Sequence, residues 1–152
     1  MDKLTVEFRK CRSPKFIFSV FSARRNFAPI QSYIVVPGEY TWQFAREYCT
    51  NQGAKLLEVR NFQDYNQALG FLYMPGFGWS MWLGGSDASV EGEFKWGNGD
   101  AVNMRDFWGS YRGSQQPDSL LQDEDCMSMF NNGFHDSGCE GLKSFVCDKY
   151  SH

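Results

Sequence analysis

Two short apolar runs near the start of the chain have the composition of β-strands. Residues 16–21 and 32–36 are rich in aromatic and β-branched side chains, and the polar segment 23–26 separates them. Both runs therefore predict strands. Residues 1–14 are charged, and we predict an extended arm there. Pro37-Gly38 predicts a turn after the second strand.

Two helical patterns follow. Thr41 is a favourable N-cap residue for a helix that runs to about residue 51. A second helical pattern begins at Asn61 or at Asn66, and Pro75-Gly76 stops it. The residues alone leave the choice between these two starting points open. The pattern predicts two helices within the first half of the chain.

The second half of the chain contains short strands and one long irregular segment. Residues 79–85 and 93–96 predict short strands, and residues 127–130 and 143–146 predict the strands that close the sheet. Residues 97–125 are rich in Gly, Asn, Asp and Ser and show no strong period. A loop of this length inside a compact domain is usually functional, so we expect a binding role for this segment.

Composition restricts the classes of function. A length of 152 residues favours one domain with a core of its own, and we divide the chain into an arm with the first strand, residues 1–30, and a globular domain, residues 31–152. The net charge of −3 gives no basic surface, which argues against nucleic acid as the main partner. No apolar run reaches the roughly 18 residues of a membrane span, so we expect no membrane insertion.

An acidic cluster near the C-terminus is the first sign of chemistry. Carboxylates and one amide fall within 21 residues, at Gln116, Asp118, Glu124, Asp125 and Asp136. Ca²⁺ takes about six to eight oxygen ligands from such groups. The sequence therefore suggests a cage for a hard cation, and the alternative is an acidic loop without a metal.

A series of short motifs runs through the chain in a fixed order. They are Thr41 to Cys49, Gly53 to Leu57, Trp82-Leu83-Gly84-Gly85, Phe94-Lys95-Trp96, Gln116-Pro117-Asp118, Glu124-Asp125-Cys126, Phe134 to Cys139 and Phe145-Val146-Cys147. From about Tyr33 to Tyr150 this order resembles the C-type lectin-like domain family. The resemblance implies an α+β fold, in which two helices flank small antiparallel sheets and a long loop binds calcium and sugar, with two internal disulfides.

The five cysteines fit this family pattern with one left over. The resemblance pairs Cys49 with Cys147 and Cys126 with Cys139. Disulfides persist in oxidising compartments, so we expect a secreted or cell-surface protein; the alternative is five free thiols in a cytosolic protein. Cys11 has no partner in this scheme, and an odd cysteine in a secreted chain suggests an intermolecular bridge. We therefore predict a homodimer linked through Cys11.

The resemblance also assigns the residues of the principal calcium site. The family's ligand positions fall on Gln116, Asp118, Glu124, His135 and Asp136. His135 stands where the family has asparagine, and imidazole is a poor ligand for a hard cation. It therefore either turns away from the ion or contacts the sugar directly.

An accessory calcium site has partial matches. The resemblance places its ligands at Asp87 and Glu91, with Glu124 and Asp125 shared from the first site. The remaining ligand position falls on Ser119, whose hydroxyl is a weaker ligand than a carboxylate. Whether this second ion binds stays open.

Sugar recognition is the function that the resemblance implies. A Gln-Pro-Asp triplet accompanies preference for galactose-type sugars in the family, so we expect galactose or N-acetylgalactosamine. Pro117 is expected in cis, which points the side chains of both neighbours towards one ion. The family tryptophan after the triplet is missing, and the aromatic that packs on the sugar is then Trp108, Tyr111 or His135. The complete set of expected sugar contacts is Gln116, Asp118, Glu124, His135, Trp108 and Tyr111.

Two other classes of function compete with this interpretation. Many domains of this family bind proteins, ice or minerals, and the missing tryptophan, His135 and Ser119 favour such a module. An enzyme could use His135-Asp136 beside Glu124 as an acid–base set, or as a zinc site with Cys126. A zinc site needs three or four nitrogen or sulfur ligands, and no nucleophile motif is present, so we predict a binding protein without enzymatic activity.

Overall fold

A computed structural model describes residues 6–10, 16–20, 31–118 and 123–149. The described residues form one large sheet, two α-helices, a 3₁₀-helix and a small hairpin. In chain order the elements are β1 (Val6–Lys10), β2 (Phe16–Val20), β3 (Gln31–Tyr40), α1 (Trp42–Asn51), β4 (Lys55–Leu56), α2 (Phe62–Leu72), β5 (Ser80–Ser86), the 3₁₀-helix η1 (Arg105–Phe107), β6 (Ser110–Tyr111), β7 (Ser114–Gln115), β8 (Cys126–Phe130), β9 (Gly133–Ser137) and β10 (Lys143–Asp148).

Strand β10 lies at the centre of the large sheet. The strand order is β1-β2-β3-β10-β5-β8-β9, and β4 also pairs with β10. Neighbouring strands are antiparallel except β10 and β5, which are parallel with Phe145 opposite Trp82. In the described part of the chain, β6 and β7 form a separate two-stranded hairpin. The α+β class with two helices is therefore confirmed.

Side-chain caps fix the first turn of both helices. The Thr41 hydroxyl oxygen accepts a hydrogen bond from the Phe44 amide at 3.3 Å, and the Asn61 side-chain oxygen accepts one from the Asp64 amide at 2.9 Å. Each cap satisfies one of the amide groups that a helix start leaves unpaired. Helix α2 therefore begins after Asn61, and the alternative start at Asn66 is wrong.

Aromatic side chains fill the core on both faces of the sheet. Trp82 is 0% exposed and Trp96 is 4% exposed, so both are core residues. The Trp82 indole donates to the Tyr40 carbonyl at 2.7 Å, so its one polar atom is paired. Helix α2 packs against one face of the sheet, and α1 packs against the other with Trp42 and Ala45 buried.

Both disulfides form as the family resemblance implied. The bridge between Cys49 and Cys147 joins α1 to β10 across 98 residues of sequence. The bridge between Cys126 and Cys139 joins the start of β8 to the segment after β9. They fix the sheet on either side of the region that supplies the acidic residues. Cys11 lies outside the described residues.

Three expectations about local structure need correction. The segment 1–14 is not simply an arm, because Val6–Lys10 pairs with β2 as a strand of the large sheet. Pro37-Gly38 does not end its strand; β3 continues to Tyr40, with an irregularity opposite β10 and a φ of +141° at Gly38. Glycine tolerates this conformation, so the strand can bulge and resume. Residues 93–96 make only isolated bridges through Lys95.

Among the helices of the described residues, none is long and apolar enough to cross a membrane.

Candidate metal centre and adjoining pocket

The long segment before the acidic cluster is folded and anchored to the core. The rings of Phe107 and Trp108 pack against buried Phe134, and the Gly109 amide donates to the Phe134 carbonyl at 2.9 Å. A side chain at Gly109 would put its Cβ 2.7 Å from the His135 Nε2 atom. Glycine thus lets the segment lie directly against β9, which brings its polar residues to the strand.

A first acidic cluster forms where this segment meets β9. Asp118, Glu124 and Asp136 each offer a carboxylate oxygen within 4.8 Å of the other two. The Gln116 amide nitrogen donates to Asp118 Oδ2 at 2.8 Å, and the Asp118 backbone amide donates to Asp136 Oδ2 at 3.1 Å. The peptide bond before Pro117 is cis. Four of the five positions expected to bind calcium thus lie together.

Asp136 and its neighbour His135 lie on a strand, where the sequence indicated a loop. The residues of β9 pair with β8, with Met127 opposite Asp136, and both His135 and Asp136 are buried. Glycine and aspartate are depleted in strands, and Phe134 is the only strong strand former of β9, so the sequence gives little sign of this strand. Pairing with the apolar β8 determines the strand instead.

His135 faces away from the carboxylates. Its Nε2 atom lies 2.8 Å from the Asn132 side-chain oxygen, while the Asn132 amide nitrogen donates to the Ser110 carbonyl. The imidazole therefore donates from Nε2, and its ring packs 4.6 Å from the ring of Phe130. Burial lowers the pKa of His135, although the adjacent Asp136 opposes this. The imidazole of His135 is therefore an uncharged side chain beside the acidic cluster.

A second acidic cluster lies beside the first. Asp87, Glu91 and Asp125 offer carboxylate oxygens that lie within 4.8 Å of one another. Asp87 is 2% exposed; its Oδ2 accepts from the Gly92 amide at 2.8 Å, and its Oδ1 is buried without a hydrogen-bond partner in the described part of the chain. Burial raises the pKa of Asp87, and the charges of Glu91 and Asp125 add to this.

The unpartnered Asp87 oxygen and the two neighbouring carboxylates form a set of oxygen donors that a divalent cation could bind. Buried polar atoms normally have a hydrogen-bond partner, and an exception calls for an explanation such as an ion. Oxygen ligands from carboxylates are those that Ca²⁺ prefers. The residues therefore fit a calcium ion at this second cluster. Ser119, the further expected ligand, lies outside the described residues.

A pocket of about 460 Å³ opens on the first cluster. Its lining residues are Tyr111, Arg112, Ser114, Gln116, Asp118, Glu124, Phe130, His135, Asp136 and Ser137. Tyr111 and His135, two of the aromatic candidates, are among them. Trp108 is not; it packs 5.0 Å from the ring of Phe94 and 5.9 Å from that of Phe134, and it borders a separate, wider depression.

The pocket also contains residues that the sequence did not single out. Phe130 and Arg112 form part of its wall, and Asn132 orients His135. The sequence carried a weak signal for one of them, because Asn132-Gly133 is a turn dipeptide and lies at the junction of β8 and β9.

Comparison with known proteins gives the family. The profile described as Lectin C-type domain matches residues 38–149. C-type lectin domain family 4 member G of Mus musculus is 30% identical over 134 residues, which cover 83% of this chain and 42% of that protein. The galactose-specific lectin nattectin of Thalassophryne nattereri is 29% identical over 115 residues, covering 74% of this chain and 69% of nattectin.

Solved structures share the fold. The carbohydrate-recognition domain of the human scavenger receptor C-type lectin superposes with a TM-score of 0.67 at 23% identity, covering 84% of this chain and 95% of that one. A Ca²⁺-dependent type II antifreeze protein in its Ca²⁺-free form gives 0.65 at 24% identity, covering 82% and 96%. The two disulfides and the two helices agree with this fold.

The chain spans less than half the length of several relatives, with 29% of human C-type lectin domain family 17, member A, and 42% of the murine protein above. The matching family is one of lectin-like binding domains rather than of enzymes. Since its profile matches most of the chain, the protein belongs to the C-type lectin domain family.

Proposed function

We propose that this protein is a calcium-dependent lectin that binds terminal galactose or N-acetylgalactosamine. The observation that carries the proposal is the convergence of Asp118, Glu124 and Asp136 within 4.8 Å of one another, next to Gln116. The similarity to nattectin, a protein described as galactose-specific, supports the choice of sugar.

Without a cation, three carboxylates this close repel one another. The orphaned Asp87 oxygen in the neighbouring cluster is a second reason to expect metal binding. Asp125 of the second cluster directly follows Glu124 of the first, and its backbone carbonyl accepts from the Asp87 amide at 3.2 Å. Filling one cluster therefore orders a ligand of the other.

The residues of the first cluster divide the recognition of a sugar between them. A bound Ca²⁺ supplies coordination positions for the oxygens of two neighbouring sugar hydroxyls. Gln116 and Asp118 are held side by side by their mutual hydrogen bond of 2.8 Å. The amide of Gln116 then donates to a sugar oxygen, and the carboxylates of Asp118 and Glu124 accept from the sugar hydroxyls. Amide and acid in this order favour the hydroxyl arrangement of galactose, as in the family.

Affinity chromatography tests the proposal. We expect the protein to bind immobilised galactose in millimolar Ca²⁺ and to elute with free galactose or EDTA, but not with mannose. Asp118→Asn removes one ligand charge and should abolish retention, while Asp106→Asn, at an exposed acid outside both clusters, should leave it unchanged. A folded protein that passes through the column in Ca²⁺ would contradict the proposal.

We further propose that the protein is extracellular and dimeric. Two disulfides persist best in an oxidising compartment, and Cys11 is the one cysteine outside them. A dimer linked through Cys11 would bind clustered glycans with higher avidity than a single weak site. The dimer should migrate at twice the monomer mass on a non-reducing gel, and monomer-sized migration would exclude the covalent link.

A protein partner is the second candidate function, and two exposed aromatic residues favour it. Trp79, directly before β5, is 90% exposed, and Tyr73, at the C-terminal end of α2, is 76% exposed. Large exposed aromatic side chains are typical of interaction surfaces. Failure to bind galactose, combined with capture of a protein that Trp79→Ala abolishes, would favour this function over the lectin.

A further inference from the structure

An arginine occupies the tip of the hairpin beside the candidate sugar pocket. Arg112-Gly113 is the two-residue turn between β6 and β7, and its φ angles are 49° and 83°. Positive φ at both central residues is typical of the type I′ turn, which matches the twist of a hairpin. The usual first residue of this turn is asparagine, aspartate or glycine. A large side chain in this conformation is uncommon and warrants attention. The turn holds an arginine where backbone preference alone favours a smaller residue.

The contacts of Arg112 leave its hydrogen-bond donors available. Its guanidinium carbon lies 5.2 Å from the centre of the Tyr111 ring, and both residues line the pocket of about 460 Å³. Across the described residues, Arg112 makes no salt bridge. Arg60 differs, because it is paired with Glu58 and Asp100. A guanidinium that stacks on a ring keeps its planar edge free for an oxyanion.

The charges around the pocket are compatible with an anionic ligand once a metal is present. Asp118, Glu124 and Asp136 bring three carboxylates to the pocket, and a divalent cation would offset two of these charges. Arg112, which lines the same pocket, adds a positive charge, and no described carboxylate lies within 4.0 Å of its guanidinium. An anionic group bound beside Arg112 would meet the guanidinium directly.

We infer that the pocket binds a galactose-type sugar that carries an anionic substituent, a sulfate ester or a carboxylate, and that Arg112 recognises this substituent. The inference rests on the proposed lectin function and narrows its class of sugar. It also assigns Tyr111 a different role from the stacking one expected from sequence. One face of the Tyr111 ring carries the guanidinium, so the ring supports Arg112.

The experiment compares a neutral and two anionic ligands. Binding of methyl galactoside, its 6-sulfate and galacturonic acid is measured by calorimetry in Ca²⁺ with the wild type, Arg112→Asn and Arg105→Gln. Asparagine tolerates positive φ, so the hairpin keeps its turn. Arg105 is an exposed arginine that borders the other depression and not this pocket, so it controls for a general loss of positive charge.

We expect the wild type and Arg105→Gln to bind at least one anionic sugar about fivefold more tightly than the neutral one. A gain of this size is typical of an exposed, charge-assisted hydrogen bond. Arg112→Asn should lose this preference and keep its affinity for methyl galactoside. Preference for the sulfate or for the carboxylate then identifies the source of the charge.

Two results would overturn the inference while leaving the proposed function intact. One is equal binding of neutral and anionic sugars by the wild type, and the other is an undiminished preference in Arg112→Asn. If the wild type bound none of the three sugars, both the lectin function and the inference would be refuted. If the undiminished preference in Arg112→Asn came with an increase in Ca²⁺ affinity, the role of the arginine would be charge balance alone.

Discussion

Replacing Asp87 with asparagine should have opposite effects on stability with and without calcium. Asp87 is 2% exposed, and its Oδ1 lacks a hydrogen-bond partner among the described residues. Asparagine has the same shape, so its oxygen can keep the hydrogen bond from the Gly92 amide. Its amide nitrogen then takes the place of the orphaned oxygen and can donate to Glu91 or Asp125. Without calcium, the substitution therefore removes a buried unpaired charge.

The size of both effects follows from this geometry. A buried unsatisfied polar group costs about 1–3 kcal/mol, so Asp87→Asn should raise the free energy of unfolding in EDTA by about 1 kcal/mol. For a domain of this size that corresponds to a rise in Tm of about 2–4 °C. In calcium at a hundred times its Kd, the wild type gains about 2.7 kcal/mol. Asparagine is a weaker ligand, so the variant should lose most of this gain.

The pH dependence of stability in EDTA gives a further check that Asp87→Asn stabilises the calcium-free protein. Burial raises the pKa of Asp87 in the folded protein, so the folded state binds its proton more tightly than the unfolded state. The wild type is therefore penalised relative to Asp87→Asn above the raised pKa, and the penalty disappears below the unfolded value. The advantage of the variant should shrink as the pH falls through the raised pKa.

Thermal unfolding followed by tryptophan fluorescence, in EDTA and in calcium, measures all of these effects. Asp106→Asn, at an exposed acid outside both clusters, serves as the control and should respond to calcium like the wild type. If Asp87→Asn were less stable than the wild type by the same amount in EDTA and in calcium, the reasoning would be refuted. Asp87 would then be an ordinary hydrogen-bond acceptor of the fold.

Three further predictions concern the scaffold. Hydrogen bonds from Arg60 and Asn98 lower the pKa of Asp100 in the folded protein. The carboxylate therefore stabilises the fold above its unfolded pKa, and this contribution is lost as the pH falls through the lowered folded pKa. Asp100→Asn should accordingly reduce the acid sensitivity of unfolding. Replacing Cys126 and Cys139 with serine should cost about 3 kcal/mol in chemical denaturation, as for other loops of similar length. Gly84→Ala should destabilise strongly and lower Tm, because the new Cβ would lie 2.8 Å from the Leu56 carbonyl oxygen.

Each of these has a contrary outcome. An unchanged acid titration of unfolding in Asp100→Asn would show that the carboxylate contributes nothing to folding. Equal stability of the double serine variant and the wild type would show that the bridge does not constrain the unfolded chain. A Gly84→Ala protein with wild-type Tm would mean that the neighbouring backbone moves aside without cost.

Local rules predicted the parts of the fold whose residues determine their own conformation. Thr41 and Asn61 signal the helix starts because each has a side-chain oxygen that can bind an unpaired amide. The short runs of aromatic and β-branched residues likewise predict strands. Family resemblance supplied the disulfide pairing, which spacing alone does not determine.

The features that the sequence missed depend on contacts with other residues rather than on the intrinsic preferences of the residues themselves. Strand β9 has only one strong strand former, Phe134, and pairing with the neighbouring β8 holds it in place. Pro37-Gly38 reads as a turn locally, yet β10 continues to pair beyond it. The position of Trp108 depends on packing against Phe94 and Phe134, and the orientation of His135 depends on Asn132. No period or composition contains this information.

The bridge between Cys49 and Cys147 has a mechanical consequence. A pulling force applied to the chain on either side of the bridge passes through the two sulfur atoms and does not load the 97 residues that the bridge encloses. Both acidic clusters and Arg112 lie inside this enclosed segment. Tension between the two ends of the chain would therefore strain β3 and its neighbours before it deformed the pocket, and reduction of that one bond would expose the pocket to the load.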